Sequence, residues 1–378
     1  MSKKLGFGMM RLPVIGGDDG NVDFDKTCVL VDTFMERGFT YFDTSFVYHN
    51  CHSEEITRRT VVERYPRDSF TLATKLPAFL IELEEDVEKT FHQQCANLGV
   101  DYLDYYLLHN INGELYSQKL VPLHVFETCA RLKKEGKIKN LGFSFHDVPE
   151  QLDIILCERP EVDFVQIVLN YYDWTSSWIQ SKNCYDIIRK HGKQVIIMEP
   201  VKGGILANPP KPLSDEMQAL HPGMSPASWA IRFAQGMDGV LAILSGMSTP
   251  EQVIENTALF DSPHPLTDEE RQILINSAPL YRALGQFHLD DLEPYKGIGP
   301  GGFPVDELLS TYNSWLLQKS RGAAVCAEQC YTPHYKRLLK KHNVPKDWTK
   351  QTILNRNGQD ISEMVREAEA YFLQFKKT

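Results

Sequence analysis

Short apolar runs alternate with longer amphipathic stretches along the first 250 residues of the chain. Each short run has a core of β-branched, aliphatic or aromatic residues bounded by polar or turn residues, a pattern typical of buried strands. The chain contains such runs at residues 5–13, 40–45, 69–76, 104–110, 137–144, 163–170, 194–200 and 239–246. We therefore predict eight strands in this part of the chain.

The segments between these strands have the period of an amphipathic helix. In residues 23–37 the apolar residues recur every three or four positions, and residues 82–98 and 121–135 follow the same pattern. The apolar stripe predicted for the first of these helices consists of Phe24, Cys28, Val31 and Phe34. Strands that alternate with helices form parallel sheets, and eight such units in about 250 residues fit a closed (β/α)8 barrel. A doubly wound sheet is the alternative, but no Gly-x-Gly-x-x-Gly motif follows an early strand.

The alternation of strands and helices stops after residue 262. Further helical segments are predicted at about 267–279, 305–318, 334–342 and 358–376. A stretch rich in Gly and Pro, residues 294–304, separates the first two of these helices, and no clear strand follows. We therefore predict a barrel domain in residues 1–262 and a helical C-terminal extension in residues 263–378.

Composition and charge narrow the classes of function. The 378 residues carry a formal net charge of −10, which argues against general binding of nucleic acid or of an anionic membrane. No window approaches the roughly 20 apolar residues of a membrane span, and the N-terminus has no secretion signal. The eight cysteines form no tight disulfide framework. We expect a cytoplasmic enzyme with reduced thiols, whose oligomeric state the sequence leaves open.

Three polar residues lie at the ends of the second, third and fourth predicted strands and a fourth lies in the loop after the second, and the carboxyl ends of barrel strands form the active site. They are Asp43, Tyr48, Lys75 and His109. A Tyr phenol, with a reference pKa of about 10, is a poor base at neutral pH unless a cation stabilises its phenolate. Lys75 offers that cation, Asp43 can hold the ammonium, and His109 can bond a substrate oxygen. This set predicts proton transfer to or from that oxygen.

At these residues the sequence resembles the aldo-keto reductase family. The resemblance runs in chain order through the motifs FDTSFVY (42–48), TLATKL (71–76), DYYLLH (104–109), NLGFS (140–144), VQIVLN (165–170), MEPVKGG (198–204) and SGMSTPEQVIEN (245–256). Each motif alone is weak, but the ordered set spans the whole predicted barrel. The resemblance implies a hydride transfer between NAD or NADP and a small carbonyl or alcohol. It also implies that Asp43, Tyr48, Lys75 and His109 form the catalytic tetrad.

The resemblance implies a set of cofactor contacts as well. Ser144, Gln166 and Asn170 match the nicotinamide site, Pro200, Lys202 and Gly204 match a loop over the pyrophosphate, and Ser245, Gly246, Met247, Gln252 and Asn256 match the adenosine end. Two departures matter. Met198 lies near the place where many members stack an aromatic ring on the nicotinamide. Residues 245–256 contain no Lys or Arg for the 2′-phosphate of NADP, which favours NAD.

The extension resembles that of a subgroup with ferredoxin-like cysteine runs for [4Fe–4S] clusters. In register with that pattern, the four cysteine positions of the first run fall on Leu289, Leu292, Tyr295 and Gly299, and none of these residues supplies a thiolate. The second run falls near Cys326 and Cys330, and two cysteines cannot fill a four-thiolate site. We therefore predict no iron–sulfur cluster and no metal in the active site. Our hypothesis is that the extension has kept a structural or pocket-capping role, and a brown absorbance in anaerobically purified protein would refute it.

Other interpretations stay open from the sequence. A catalyst with a permanently bound cofactor would oxidise and re-reduce a sugar-like substrate during epimerisation or elimination. A nucleotide-sensing subunit would keep the fold without the chemistry, although a complete tetrad argues against this. Tyr171, Tyr172 and Trp174 follow the sixth strand, where they either wall an apolar pocket or pack within the extension.

Overall fold

The computed structural model describes residues 3–317 and 331–374. Eight parallel strands pair in chain order, and the first pairs with the last to close a barrel. The strands are β1 (Leu5–Gly8), β2 (Tyr41–Asp43), β3 (Thr71–Leu76), β4 (Leu103–Ile111), β5 (Ile138–Phe145), β6 (Phe164–Val168), β7 (Gln194–Met198) and β8 (Val240–Ser245). The predicted (β/α)8 barrel is thus confirmed, and all eight predicted runs contain a strand.

Helices follow the strands, and further helices form the C-terminal part of the chain. In the described residues they are α1 (Phe24–Glu36), α2 (Ser53–Thr57), α3 (Glu84–Leu98), α4 (Gly113–Leu115), α5 (Val125–Lys134), α6 (Pro149–Glu158), α7 (Ser181–Lys190), α8 (Lys211–Leu220), α9 (Pro226–Gln235), α10 (Pro250–Ala258), α11 (Asp268–Asn276), α12 (Ala278–Arg282), α13 (Val305–Leu317), α14 (Thr332–Lys341) and α15 (Ser362–Leu373). None of these helices is long and apolar enough to cross a membrane. Cys326 and Cys330 lie outside the described residues.

Side chains from successive strands fill the interior of the barrel. They form one buried cluster, made of Tyr41, Ala73, Leu107, Phe164, Ile196, Ala242 and Leu244. Large and small residues complement each other in this layer. A Cβ atom added to Gly142 would lie 2.5 Å from the ring of Phe164, so the glycine leaves room for that ring. The interior is therefore a packed core, as expected of a barrel of this size.

Helix α1 shows how the amphipathic pattern becomes packing against the barrel. Asp23 caps its first turn by accepting a 3.1 Å hydrogen bond from the backbone N–H of Lys26. Its buried face consists of Thr27, Leu30, Val31 and Phe34, whereas Phe24 and Cys28 are only half-buried. The predicted stripe is thus fully buried at Val31 and Phe34 and partly buried at its start. The rings of Phe34 and Phe7, 5.4 Å apart, fix the helix against β1.

The chain divides into two compact units that do not follow chain order. The first consists of residues 1–170, 181–200 and 231–266, and contains all eight strands. The second consists of residues 171–180, 201–230 and 267–378, so two segments from within the barrel sequence, one of which contains α8, belong to the same unit as the C-terminal helices. The domain boundary that the sequence predicts between residues 262 and 263 stays a prediction.

The second unit has a hydrophobic core of its own. Its buried residues come from the segment before α7, from the irregular segment after α12 and from helices α13 to α15, with Trp178, Phe303, Leu308, Tyr335 and Phe372 among them. Burial of each such side chain stabilises the fold by about 1.5–3 kcal/mol. The four helical segments predicted beyond residue 262 are present, the first as the two helices α11 and α12.

Candidate active site

A buried ion pair lies at the carboxyl ends of β2 and β3. The Lys75 ammonium is 2.5 Å from Oδ1 of Asp43 and donates a 2.7 Å hydrogen bond to the carbonyl oxygen of Thr44. Lys75 is 0% exposed and Asp43 is 2% exposed. Burial lowers the pKa of Lys75 and raises the pKa of Asp43, and the close contact between the two groups opposes both shifts. The barrel thus holds a cation in a fixed position that water does not reach.

Tyr48 lies beside this cation, in the loop that follows β2. The Lys75 ammonium is 4.7 Å from the centre of the half-buried Tyr48 ring. The ring of His109, near the end of β4, packs edge-on against Tyr48 with 6.0 Å between the ring centres. The structure therefore brings together all four residues that the sequence predicts as a tetrad, although 66 positions separate Asp43 from His109 in the chain.

His109 is held as a neutral imidazole. Burial lowers its pKa well below the ordinary value, and repulsion from the Lys75 ammonium adds to the effect. Its Nδ1 lies 3.2 Å from the hydroxyl of Ser45, and the ring of Phe79 covers it at 6.2 Å between ring centres. A neutral imidazole can donate one hydrogen bond to a substrate oxygen without adding a positive charge to the site.

A network that the sequence did not reveal supports Lys75 from the helix side of the barrel. Gln94 on α3 donates a 3.0 Å hydrogen bond to the carbonyl oxygen of Lys75 and a 2.7 Å bond to Oε1 of Glu54. Thr74 donates to the same carboxylate at 2.7 Å, and the hydroxyl of Tyr106 donates to Oε1 of Gln94 at 2.7 Å. Burial raises the pKa of Glu54, while these hydrogen bonds act in the opposite direction. The network fixes the end of β3 that carries the ammonium.

Three residues predicted at the nicotinamide lie at the ends of β5 and β6. Ser144 is buried, and its hydroxyl accepts the backbone N–H of Asn110 at 2.8 Å, next to His109. Asn170 donates to the carbonyl oxygen of Glu199 at 3.1 Å. Gln166 places its Nε2 3.4 Å from the sulfur of Met198, while its buried Oε1 accepts no hydrogen bond from the described residues. A buried acceptor in need of a donor fits the amide group of a nicotinamide.

The residues predicted at the adenosine end lie around the N-terminus of α10. Gln252 accepts the backbone N–H of Ser248 at 2.7 Å, and Asn256 donates to the hydroxyl of Ser245 at 3.1 Å. Met247 is fully buried.

Arg11, which follows β1, is a neighbour of this loop that the sequence did not predict. A Cβ atom on Gly246 would lie 3.1 Å from Cβ and Cδ of Arg11, so the aliphatic part of an arginine side chain packs beside this loop, which itself lacks Lys and Arg.

The predicted pyrophosphate loop crosses the two compact units, because Pro200 belongs to the first and Lys202 and Gly204 to the second. Within the second unit the ammonium of Lys202 is buried and lies 2.6 Å and 2.8 Å from the two carboxylate oxygens of Asp173. Gly204 has a φ of 96°, which strains any residue with a Cβ. The contacts of these three residues with a cofactor stay predictions.

Two aromatic residues considered as pocket walls pack inside the second unit. The hydroxyl of Tyr171 lies 2.5 Å from that of Tyr281, and Tyr172 accepts a 3.0 Å hydrogen bond from Ser314. These bonds explain the burial of two polar rings in an apolar environment. Packing within the second unit accounts for the contacts of Tyr171, whereas Tyr172 also lines a cavity of about 720 Å³ in the same unit.

The positions that match the first ferredoxin-like cysteine run do not fit an iron–sulfur cluster. Leu289 and Leu292 are buried in the hydrophobic core of the second unit, and Tyr295 packs against the same core. Gly299 forms an isolated bridge with Phe303. None of these four residues supplies the thiolate that an iron–sulfur cluster needs.

Comparison with known proteins agrees with the barrel fold and identifies a family of oxidoreductases. The sequence profile of the Aldo/keto reductase family matches residues 4–276. An aldo-keto reductase of Mycolicibacterium smegmatis is 26% identical over 255 residues, which cover 66% of this chain and 84% of that protein. An uncharacterized oxidoreductase of Bacillus subtilis, YqkF, is 22% identical over 302 residues, which cover 72% of this chain and 91% of that protein.

A solved structure shows the same fold. The holo form of aldo-keto reductase AKR11C1 from Bacillus halodurans superposes with a TM-score of 0.58 and 24% sequence identity. The superposition covers 73% of this chain and 92% of that structure. The family profile ends at residue 276, so most of the helical C-terminal segment lies outside the matched region.

Proposed function

The chain belongs to the aldo/keto reductase family of oxidoreductases, and from that premise we propose that it transfers a hydride between NAD or NADP and a small carbonyl or alcohol, with Tyr48 as the general acid and base. The observation that carries the proposal is the buried Lys75 ammonium. It is bonded to Asp43 and lies 4.7 Å from the ring of Tyr48.

The chain's own residues supply the proton chemistry. The fixed cation beside Tyr48 lowers the free energy of the phenolate that forms when the hydroxyl gives its proton to a substrate oxygen. Asp43 keeps the ammonium in place and balances its charge, so that no side chain has to reorganise during the reaction. His109, held neutral, donates a hydrogen bond that orients the substrate oxygen toward Tyr48. In the reverse direction the phenolate takes the proton from an alcohol.

The cofactor supplies or accepts the hydride when it is bound. Ser144, Gln166 and Asn170 would hold its nicotinamide end, and the unsatisfied Oε1 of Gln166 is the acceptor for an amide donor. Gly246, Gln252 and Arg11 would lie near its adenosine end. The lack of Lys and Arg in residues 245–256 favours NAD, whereas Arg11, whose aliphatic carbons pack beside Gly246, is the nearby residue that could bind a 2′-phosphate.

The first test is a separate titration of the purified protein with NADH and NADPH, followed by quenching of tryptophan fluorescence. Saturable binding of either nucleotide supports the proposal, and the nucleotide that binds more tightly is the preferred cofactor. Absence of binding by both, in folded protein, contradicts it.

The second test replaces Tyr48 by Phe and follows oxidation of the preferred cofactor with a panel of small aldehydes and ketones. We expect kcat to fall by about 100-fold or more, because a positioned acid contributes about 10²–10⁴-fold. Cofactor affinity should stay unchanged. Tyr185→Phe is the matched control. The hydroxyl of Tyr185 donates a hydrogen bond to the carbonyl oxygen of Asp238, and neither residue belongs to the tetrad. Equal rates for the two variants would contradict the role of Tyr48.

A further inference from the structure

Three potential metal ligands converge on the outside of the barrel unit, among residues that hydride transfer does not use. Asp153 and Cys157 are one turn apart on α6, and His191 directly follows α7. The carboxylate oxygen, the sulfur and the imidazole nitrogen all lie within 4.8 Å of one another. We propose that Asp153, Cys157 and His191 bind a divalent transition metal ion, with Zn²⁺ as the occupant that their chemistry favours.

The donor set points to zinc rather than to magnesium or calcium. Thiolate and imidazole are preferred ligands of Zn²⁺, and carboxylate oxygens complete many zinc sites. Hard cations such as Mg²⁺ and Ca²⁺ take oxygen ligands almost exclusively. Three protein ligands leave the fourth position of a tetrahedral site for water.

The backbone already presents these donors to one another. Asp153 and Cys157 have the i, i+4 spacing that puts two side chains on the same helix face. His191 bridges from the neighbouring helix, because its Nε2 lies 2.6 Å from Oδ1 of Asp153. Cys157 is exposed and Asp153 is half-buried, so a metal ion reaches the cluster from solvent and small side-chain rotations complete the coordination.

The electrostatic environment favours a cation at this place. Cys157 lies in the last turn of α6 and His191 follows the end of α7, so the C-terminal ends of two helices, with their partial negative charges, face this region. A cation already lies there, since the ammonium of Lys190 is 3.2 Å from Asp153. The Lys190 side chain is 66% exposed and can turn into solvent when a metal ion binds.

A metal ion at this cluster would tie α6 to α7. The unfolded chain does not hold the three side chains close together, so the ion would bind the folded state more tightly. Its binding would therefore raise the stability of the barrel unit. The site lies beyond the proposed oxidoreductase function, which needs none of the three residues.

Cobalt is the sharpest probe of a site that contains one thiolate, because Co²⁺ occupies zinc sites and gives a near-ultraviolet charge-transfer band only when a thiolate is bound. The full chain carrying Cys326→Ser and Cys330→Ser provides the background, so that these two cysteines cannot contribute. We expect one equivalent of Co²⁺ to produce the band and Zn²⁺ to abolish it. A background protein without the band refutes the proposal.

Variants assign the band to its ligands. Cys157→Ser should abolish it, and His191→Asn and Asp153→Asn should each weaken Co²⁺ binding by at least about ten-fold. Cys51→Ser, which removes another exposed cysteine, should leave it unchanged. A band that survives Cys157→Ser or disappears in Cys51→Ser overturns the assignment.

A charge variant gives an independent reading of the same site. Lys190→Met removes the competing ammonium and should tighten Co²⁺ binding. Its control is Lys182→Met on the same helix, because Lys182 pairs with Asp186 and not with Asp153. Equal affinities for the two variants would show that the ion binds away from Asp153 and would contradict the proposal.

Discussion

Replacement of Lys75 by Met tests the energetics of the candidate active site most directly. The substitution removes the ammonium from the end of β3 and keeps an unbranched side chain of similar length. It leaves the carboxylate of Asp43 in a position that is 2% exposed, next to an apolar group. We expect a loss of stability together with a loss of activity, and the two effects can be separated.

The structure sets the size of the stability loss. Lys75 makes a 2.5 Å contact with Asp43, whose other oxygen, Oδ2, already lacks a hydrogen-bond partner among the described residues. Without Lys75 the carboxylate therefore has no compensating cation. Removal of one partner from a buried ion pair costs about 3–5 kcal/mol. With a denaturant slope of roughly 3 kcal/mol per M urea, the unfolding midpoint should fall by about 1–2 M.

The pH dependence of this loss has a definite sign. In Lys75→Met, burial raises the pKa of Asp43 in the folded protein above its unfolded value, and no cation opposes the shift. Between the unfolded and the folded pKa the folded state binds more protons than the unfolded state, so stability falls as pH rises. The deficit relative to the native protein should thus shrink when the pH is lowered from 7 toward 4.

Urea unfolding of four proteins, followed by circular dichroism, checks this prediction. Asp43→Leu added to Lys75→Met should restore most of the stability, because an apolar pair replaces a buried ion pair at little cost. It should not restore activity, since the cation beside Tyr48 is still missing. Lys182→Met is the surface control, with its ion pair to Asp186 exposed by 51% on both sides, and should cost at most about 1 kcal/mol. A midpoint for Lys75→Met equal to that of the surface control would refute the reasoning.

Two further predictions concern neighbouring residues. The pKa of His109 is far lower in the folded protein than in the unfolded chain. Below about pH 6.5 the unfolded state therefore binds a proton that the folded state does not bind, and the stability of the native protein falls as the pH drops. The urea midpoint of His109→Gln should therefore decline less between pH 7 and pH 5 than that of the native protein, and equal slopes would contradict the assignment. Gln166→Leu removes the unsatisfied acceptor and should weaken cofactor binding about ten-fold in the fluorescence titration, without a change in the urea midpoint.

Periodicity alone was sufficient to predict the barrel because strands and helices are local patterns. Each predicted strand needs only its own run of apolar residues, and the closure follows from eight repeats of the same unit. The proximity of Asp43, Tyr48, Lys75 and His109 was predictable for the same reason, since these residues lie at or just beyond the ends of consecutive strands, and their catalytic roles stay predictions. On α1 the predicted stripe is fully buried at Val31 and Phe34 but only half-buried at Phe24 and Cys28, near the start of the helix.

Such local patterns could not predict contacts between segments that are distant in the chain. Nothing near Lys75 in the chain indicates that Gln94 and Glu54 support it, because the contact depends on how α2 and α3 pack. Arg11 reaches Gly246 only because β1 is the neighbour of β8 in the closed barrel. The same holds for the cluster of Asp153 and His191, which are 38 positions apart. Sequence reasoning found the residues that strands position and missed those that helix packing and barrel closure bring together.

The segment after α12 is stabilised by apolar packing at the positions that match the first cysteine run. A four-thiolate cluster would order the segment after α12 through metal–sulfur bonds. Here Leu289 and Leu292 hold the matching positions and are buried with Phe303 and Leu308 in the core of the second unit. At about 1.5–3 kcal/mol for each buried leucine, burial gives that segment a stabilisation of its own. Apolar burial therefore orders this segment through packing alone, and the structural role of the extension stays our hypothesis.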